Sequence, residues 1–534
     1  MSAVAEPINP PVISLTRSLG LSGLVDEMTR GCAIPVGTLQ VAALLETTGI
    51  TDAIARRRYG FSDVFALAEA LADRLPRAAP ASFEAAKEGA LASQRGELLR
   101  DISRGPLALL PMVLLSLIIA VYQGIGKWPP GHVLALSLAM VGSLLVTSGF
   151  VQAASRKGAS YLCQGYVNAA RRIVTMILGA GLLAVCASAV LLAWIAPHIM
   201  STEAAAIITV AFWALSILWL AAGVLFLVGS VYSFGFALAV GVMLSFGAIR
   251  GLAPVLSDRS MLVFVAAAIG FGSALLVMVL AAWRAFTRQA EQSKVNNEKV
   301  VLPPWPHLAV GLAPYFVYGL AYVGLILAGH VICWMAVLPA GTPRIVAVTA
   351  TEAGLTLALM GYILAGGVAE HTIGRFWRMI QTFQRQVTPG QASKFRAAVR
   401  DFFLREQARF AVALLLCNCL VVVLLAVLLH WRLLPWSSWT TTVFALGLCG
   451  YGLIGLGVFD CMFMVTLSRP SMATRSLALG MIATLITGLV LGRTIGYAWT
   501  AFAVVAGGLV FLVSAHWQLH RMLEQMDYCY YASF

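Results

Sequence analysis

Charged side chains are what this sequence has least of. Only 11% of its 534 residues are Asp, Glu, Lys or Arg, while 60% are hydrophobic and the mean hydropathy is +0.87. A soluble globular domain carries about 25% charged residues, so one large water-soluble enzyme is excluded and a bilayer is the main solvent. Motifs that carry chemistry are missing too. There is no Gly-rich phosphate loop or other ATP-binding motif, no nucleophile motif and no pair of carboxylates in a fixed frame. The nine cysteines include no CxxC and have no clustered His partner, which leaves neither a metal site nor a disulfide framework to predict. Cys186, Cys333, Cys417, Cys419, Cys449 and Cys461 lie in apolar stretches, where Cys behaves as a small hydrophobe. Cys417 and Cys419 flank Asn418 at a spacing that does not share a helix face. No metal, cofactor or catalytic residue is expected, and the chain is read as a non-enzyme.

Half of the scarce acid sits at the front. Residues 1–104 hold 12 of the 23 Asp and Glu and 11 of the 36 Lys and Arg, which leaves 11 acidic and 25 basic residues for the rest. A balanced head thus precedes a basic, apolar body. A span needs roughly 20 apolar residues, and the first such stretch begins near Gly105 behind a polar segment. No cleavable signal is readable there, so the head is expected to stay on the side where it is made. About a dozen spans follow. The first six run near 105–125, 131–153, 172–197, 203–229, 231–250 and 259–283, and the second six near 309–338, 345–369, 408–430, 438–467, 472–492 and 495–518.

Loop charge orients these spans, because cytoplasmic connections carry the excess Lys and Arg. With the N-terminus inside, the inner connections hold 19 of the 25 basic residues and the outer ones only six: Lys127, Arg250, Arg259, Arg344, Arg432 and Arg493. An even count, both termini cytoplasmic and a multi-pass protein of the cytoplasmic (inner) membrane are expected. The net charge of +13 then reflects membrane orientation, and no nucleic-acid partner is needed to explain it.

The head reads as short helices. Val36 to Thr48 stops at Gly49, Thr51 is placed to cap a turn-rich segment closing at Gly60, and Ser62 to cap Asp63–Leu75. In the body, spans 1–6 and 7–12 repeat one plan. In each half a basic connection separates the second and third spans, and a tight one joins the fourth and fifth. Gly223-Val224-Leu225-Phe226 and Gly457-Val458-Phe459-Asp460 mark the local match. Six spans per half keep the halves in the same orientation. The expected architecture is all-α: two six-helix pseudo-symmetric transmembrane bundles, 105–284 and 309–519, joined by a cytoplasmic linker 285–308, with a helical cytoplasmic region 1–104 and a tail 520–534. The connection from His371 to Phe410 interleaves Phe and Trp with Arg, which suits a helix in the cytoplasmic headgroup layer. It reads either as an anchor alone or as a contact for the pyrophosphate of a lipid-linked substrate or an acidic partner.

Ionisable residues inside a bilayer are functional candidates by default. His330, Glu352 and Asp460 are the three. Glu352 is read as lining a wet cleft. Asp460 is read either as an ion pair with Arg469 or Arg475 or as cavity-lining. Tyr315, Tyr318 and Tyr322 step by three and four onto one helix face, with Trp334 further along the same span. Flat rings with hydroxyls are platforms for sugars, though an aromatic stripe is also ordinary packing. Gln123 and Asn418 complete the candidate path for sugar hydroxyls, with Arg171 and Arg172 for an anionic group.

PYFVYGLAYVGLILAGHVICW resembles the seventh span of the Pel-type exopolysaccharide exporter subunit and related members of the multidrug/oligosaccharidyl-lipid/polysaccharide (MOP) flippase superfamily. SGFVQAASRKGASYLCQGYVNAARR is similar to that superfamily's loop between spans 2 and 3, FDCMFMVTLSRPSMATRSLALGMIATLITGLVLG to its spans 10 and 11, and HRMLEQMDYCYYASF to the Pel-type tail. The resemblance covers about residues 105–534. It implies a MATE-like flippase fold and export or flipping of an exopolysaccharide or a lipid-linked oligosaccharide. Membrane lipid and a cytoplasmic glycosyltransferase or synthase subunit would be its partners. Five and four residues before Trp334 the family often has Asp and a basic residue, where this chain has Gly329 and His330; the carboxylate's role is absent here or has moved to Glu352. Three other readings stay open: a synthase-complex subunit without transport of its own, a membrane glycosyl- or acyltransferase, and MATE-like efflux of small molecules.

Overall fold

The computed structural model describes residues 38–47, 50–72, 130–163, 166–255, 259–292, 304–337, 342–386, 392–431 and 437–524, with a few single residues between them. Its helices are α1 (Thr38–Thr47), α2 (Asp52–Ile54), α3 (Val64–Ala72), α4 (Pro130–Cys163), α5 (Val167–Ile195), α6 (Thr202–Leu227) and α7 (Val231–Leu252). They continue as α8 (Arg259–Gln292), α9 (Trp305–Val337), α10 (Thr342–Gln386), α11 (Ala392–His430), α12 (Ser438–Thr466), α13 (Pro470–Thr494) and α14 (Phe502–Glu524). The protein is all-helical and multi-pass: among the described residues, eleven helices, α4 to α14, are long and apolar enough to cross a membrane. The expected span 105–125 lies almost wholly outside the described residues, and the eleven helices match the other expected spans in order.

Lipid explains both the number and the smoothness of these helices. A spanning backbone must satisfy its own hydrogen bonds, and a helix apolar on every side is stable only in lipid or in a core. Ser201 and Ser437 cap α6 and α12, their hydroxyls accepting from the amides of Ala204 and Thr440 at 3.3 and 3.2 Å. Side chains such as Leu183, Val190 and Met243, each more than 70% exposed, face where acyl chains would lie.

The repeat is clearest at the two tight connections. After α6 the amides of Val228 and Ser230 donate to Val224 and Leu225 carbonyls at 3.0 and 2.9 Å; after α12 those of Leu467 and Arg469 donate to Phe463 and Met464 at 3.0 and 2.8 Å. Both are helix C-terminal motifs closed by one left-handed residue, Gly229 at φ 75° and Ser468 at φ 58°. The backbones therefore pair Gly229 with Ser468, which sets Gly223 opposite Met462 rather than Gly457. The GVLF and GVFD match is out of register by five residues, because the sequence alone does not show where each helix ends.

The chain divides into two compact units, one of residues 100–369 and 409–520, the other of residues 1–99, 370–408 and 521–534. In the smaller unit, Val41, Leu45, Ile50, Val64, Leu67 and Leu71 form a head core. The caps there differ from expectation. Thr51 makes no side-chain cap bond. Asp63, not Ser62, caps α3, its Oδ1 accepting from the Ala66 amide at 2.8 Å, and Asp52 Oδ1 accepts from the Val64 amide at 2.9 Å. The His371–Phe410 connection also differs from a helix lying among headgroups. α10 has 45 residues and α11 has 39, so each runs on without a break. Phe376 and Phe402 meet at 6.0 Å, and Arg375 Nη1 binds Glu406 Oε1 at 2.9 Å. Phe376, Ile380, Val399 and Phe403 are buried, so these rings serve packing.

Candidate functional site

Within the larger unit the two bundles meet along α4 and α9. Phe150 and Phe316 cross edge to face at 4.9 Å. A Cβ on Gly319 would lie 2.7 Å from the Ser148 carbonyl, so only glycine lets the helices approach there. Leu308 and Leu312 of α9 are buried with Ala153 and Ala154 of α4 and Ile173 of α5. All these contacts lie in the C-terminal half of α4 and the N-terminal half of α9, the end that carries the basic connections. At the other end each helix packs into its own bundle. Ala135 and Ala139 pack with Val185, Ala189 and Phe212, while Gly329 abuts Val504 and Leu355, and Ile332 abuts Gly488.

A line of polar groups crosses the second bundle. Tyr318 and Tyr322 stack at 6.2 Å with 15° between their planes. The Tyr322 hydroxyl lies 2.5 Å from that of Tyr362 on α10. Next to Tyr362, Gly361 gives way to Asn418 of α11: a Cβ there would collide with the Asn418 Oδ1, while a Cβ on Gly452 of α12 would lie 3.8 Å from the Asn418 nitrogen. The carboxamide thus stands between α10 and α12, against the bare backbone of Gly361. Tyr315 leaves this line and lies under Arg156 of α4, 5.6 Å from the guanidinium to the ring centre.

Two further groups lie apart. Asp460 is fully buried, and its Oδ2 meets Nδ1 of the half-exposed His516 on α14 at 3.3 Å. His330 Nε2 is 3.4 Å from the Thr356 hydroxyl on α10. His330 Nδ1 and Trp334 Nε1 are buried without a hydrogen-bond partner among the described residues, with ring centres 6.5 Å apart. Unsatisfied polar atoms at membrane depth are costly, so this pair suits a bridging water or a transient ligand. Arg171 and Arg172 sit exposed on the first turns of α5, in the other bundle. Glu352 is on α10, but its side chain lies outside the described residues, as does Gln123 altogether. Among the described residues no three metal-ligating side chains come together.

Of the residues singled out from sequence, the structure brings together Tyr318 and Tyr322, links Tyr322 to Tyr362, which sequence reasoning missed, and places Asn418 against the neighbouring Gly361. Tyr362 carried a signal, a hydroxyl ring deep in an apolar span. His516 and Arg156 carried none beyond their charge.

The fold these elements form is that of MATE transporters. The chain matches a point mutant of the Vibrio cholerae MATE transporter VcmN with a TM-score of 0.60 at 14% identity, over 82% of this chain and 99% of that one. It matches an outward-facing multidrug resistance MATE transporter of the MOP superfamily with a TM-score of 0.51 at 12% identity, over 81% and 97%. The MATE transporter ClbM in complex with Rb+ gives 0.51 at 12% identity, over 81% and 96%. No family model and no curated protein matches the sequence.

Proposed function

We propose that the chain is an inner-membrane transporter that exports or flips an exopolysaccharide or a lipid-linked oligosaccharide by alternating access. The observation that carries this reading is the seam between α4 and α9. It is closed at the basic end, while at the other end each helix packs into its own bundle, as expected of two bodies that rock about a cleft. Positive-inside charge makes the closed end cytoplasmic and both termini cytoplasmic. Tyr322 and Asn418 are half-buried and Tyr318 and Tyr362 buried; exposed by the rocking motion, this line would offer ring faces, hydroxyls and an amide, the groups that grip sugars. Arg171 and Arg172 would meet an anionic headgroup near the inner surface. An ion gradient or a coupled synthase would supply the energy, and the unit of residues 1–99, 370–408 and 521–534 would contact a cytoplasmic glycosyltransferase.

Polymer export by cells carrying Tyr318→Ala tests the site. Export should fall at least about fivefold at unchanged protein level, taking the roughly 1–3 kcal/mol that a flat ligand gains on one aromatic ring; wild-type export would sink the assignment. Efflux of small molecules is the second reading, favoured by the multidrug transporters among the fold neighbours. A variant that loses drug resistance while keeping polymer export would select it.

A further inference from the structure

Ser468 is the one non-glycine residue with positive φ among the described residues. Its counterpart in the first bundle, Gly229, makes the same turn, and a Cβ there would meet open space. Side-chain-bearing residues take this conformation at a cost, and they persist in it where the surroundings fix them, often at switches. The Ser468 hydroxyl explains the exchange. It accepts from Arg156 Nη2 at 2.7 Å, and the same nitrogen reaches the Thr466 carbonyl at 3.5 Å. The guanidinium also lies over Tyr315. Arg156 belongs to α4 of the first bundle, whereas Ser468, Thr466 and Tyr315 belong to the second. The terminal carbonyl of α12, the negative end of its dipole, and an aromatic face both favour the cation.

We propose that Arg156 and Ser468 form a latch that holds the two bundles together at the basic end, and that opening this end requires their separation. The inference rests on the alternating-access reading above. Glycine would make this turn at no conformational cost, as Gly229 does. Serine keeps the turn strained and sets an oxygen where the other bundle's arginine arrives. Arginine suits the position because its extended group bonds both oxygens through Nη2 while its central carbon lies over the Tyr315 ring, a span that a compact lysine ammonium does not cover. On opening, water replaces the bond, so the latch is releasable: a charge-assisted hydrogen bond exchanged for water shifts a two-state ratio by roughly tenfold.

Spin labels introduced as non-canonical residues at the exposed positions Ser160 on α4 and Ser471 on α13 would report the separation by pulsed EPR on the full chain in lipid nanodiscs. The intact latch should give mainly the short distance. Ser468→Gly and Arg156→Lys should each raise the long-distance population roughly tenfold, and together little more than either alone, since they break one contact. Ser468→Gly should do so without lowering the melting temperature, which separates unlatching from misfolding. Thr474→Ala, which removes a hydroxyl bonded only within α13, is the control and should change nothing. Two populations unmoved by either latch variant would overturn the latch and leave alternating access standing. A single fixed distance in every variant would overturn both.

Discussion

The two bundles share a backbone plan but place their polar groups differently. In the first, the buried hydroxyls of Ser143, Thr147 and Ser148 donate to the carbonyls of Met140, Ser143 and Leu145, all on their own helix. Such bonds satisfy the group and bind no neighbour; the exceptions are Ser245, which donates to the Ala266 carbonyl of α8, Gln289, which donates to the Val228 carbonyl at the end of α6, and His132, 3.5 Å from Glu203 of α6. In the second bundle Thr484 also bonds within its own helix, but other bonds run between helices: Tyr322 to Tyr362, Asp460 to His516, Tyr451 to the Ile326 carbonyl, and Ser514 to Ser476. The buried hydroxyls of α4 stay within their helix, whereas buried polar groups of the second bundle more often join one helix to another. A path for a polar substrate is built more readily from the second, because its hydroxyls and carboxylate already face spaces between helices.

The comparison breaks most sharply at Asp460. His516→Ala should cost about 2 kcal/mol in unfolding in detergent, below the roughly 3–5 kcal/mol of breaking a fully buried pair, since His516 is half-exposed. Ser143→Ala, in the first bundle and as buried as Asp460, should cost less than about 0.5 kcal/mol. Equal losses would erase the distinction between the bundles. Replacing both Asp460 and His516 by Leu should recover most of the stability, because an apolar pair carries no charge to compensate.

A smaller effect is expected at Gly361. Gly361→Ala places a methyl group on the free end of the Asn418 carboxamide and should destabilise by about 1 kcal/mol, the low end for overpacking. Asn418→Ala in the same chain should remove most of that penalty, and thermal unfolding of the four chains of this double-mutant cycle reads the coupling. Independent, additive losses would show that the close approach of α10 and α11 does not depend on the carboxamide.

How much of this was legible depends on what each feature is made of. The spans followed from lengths of apolar sequence, so ends such as Ser438 and Pro470 lay within two residues of expectation. The site was only half legible. Spacing put Tyr315, Tyr318 and Tyr322 on one face, and they do share it. One face of α9 meets different neighbours at different heights, however, so Tyr315 reaches Arg156 of the other bundle while Tyr322 reaches Tyr362. Pairings between helices depend on crossing geometry, which periodicity within one helix does not encode. Arg156 was readable only as an orienting charge, because its partner Ser468 lies 312 residues away. The hairpin aromatics misled for a related reason: rings interleaved with arginines suit a lipid surface and a packed helix pair alike.

The head gives the smallest effect and a third use of polar groups, at helix ends in water. Asp63 caps α3, and its carboxyl is held below the usual 3.8, first by the Ala66 amide and then by the Ser62 hydroxyl. A depressed folded pKa means that the cap's contribution is complete above the unfolded value and is lost as pH falls through the lower folded one. Asp63→Asn removes the charge while retaining an acceptor. Hydrogen exchange of the 60–72 segment in the full chain should therefore be slower in the parent than in the variant at pH 7, with the difference closing only below about pH 4. α12 is held by buried Tyr451, Phe459 and Phe463 and not by an exposed cap, so exchange there should hold its parent value over the pH range in which α3 loosens. A simultaneous loss in both would mean that head and bundle unfold as one, and that the polar groups in water and in lipid belong to a single cooperative unit.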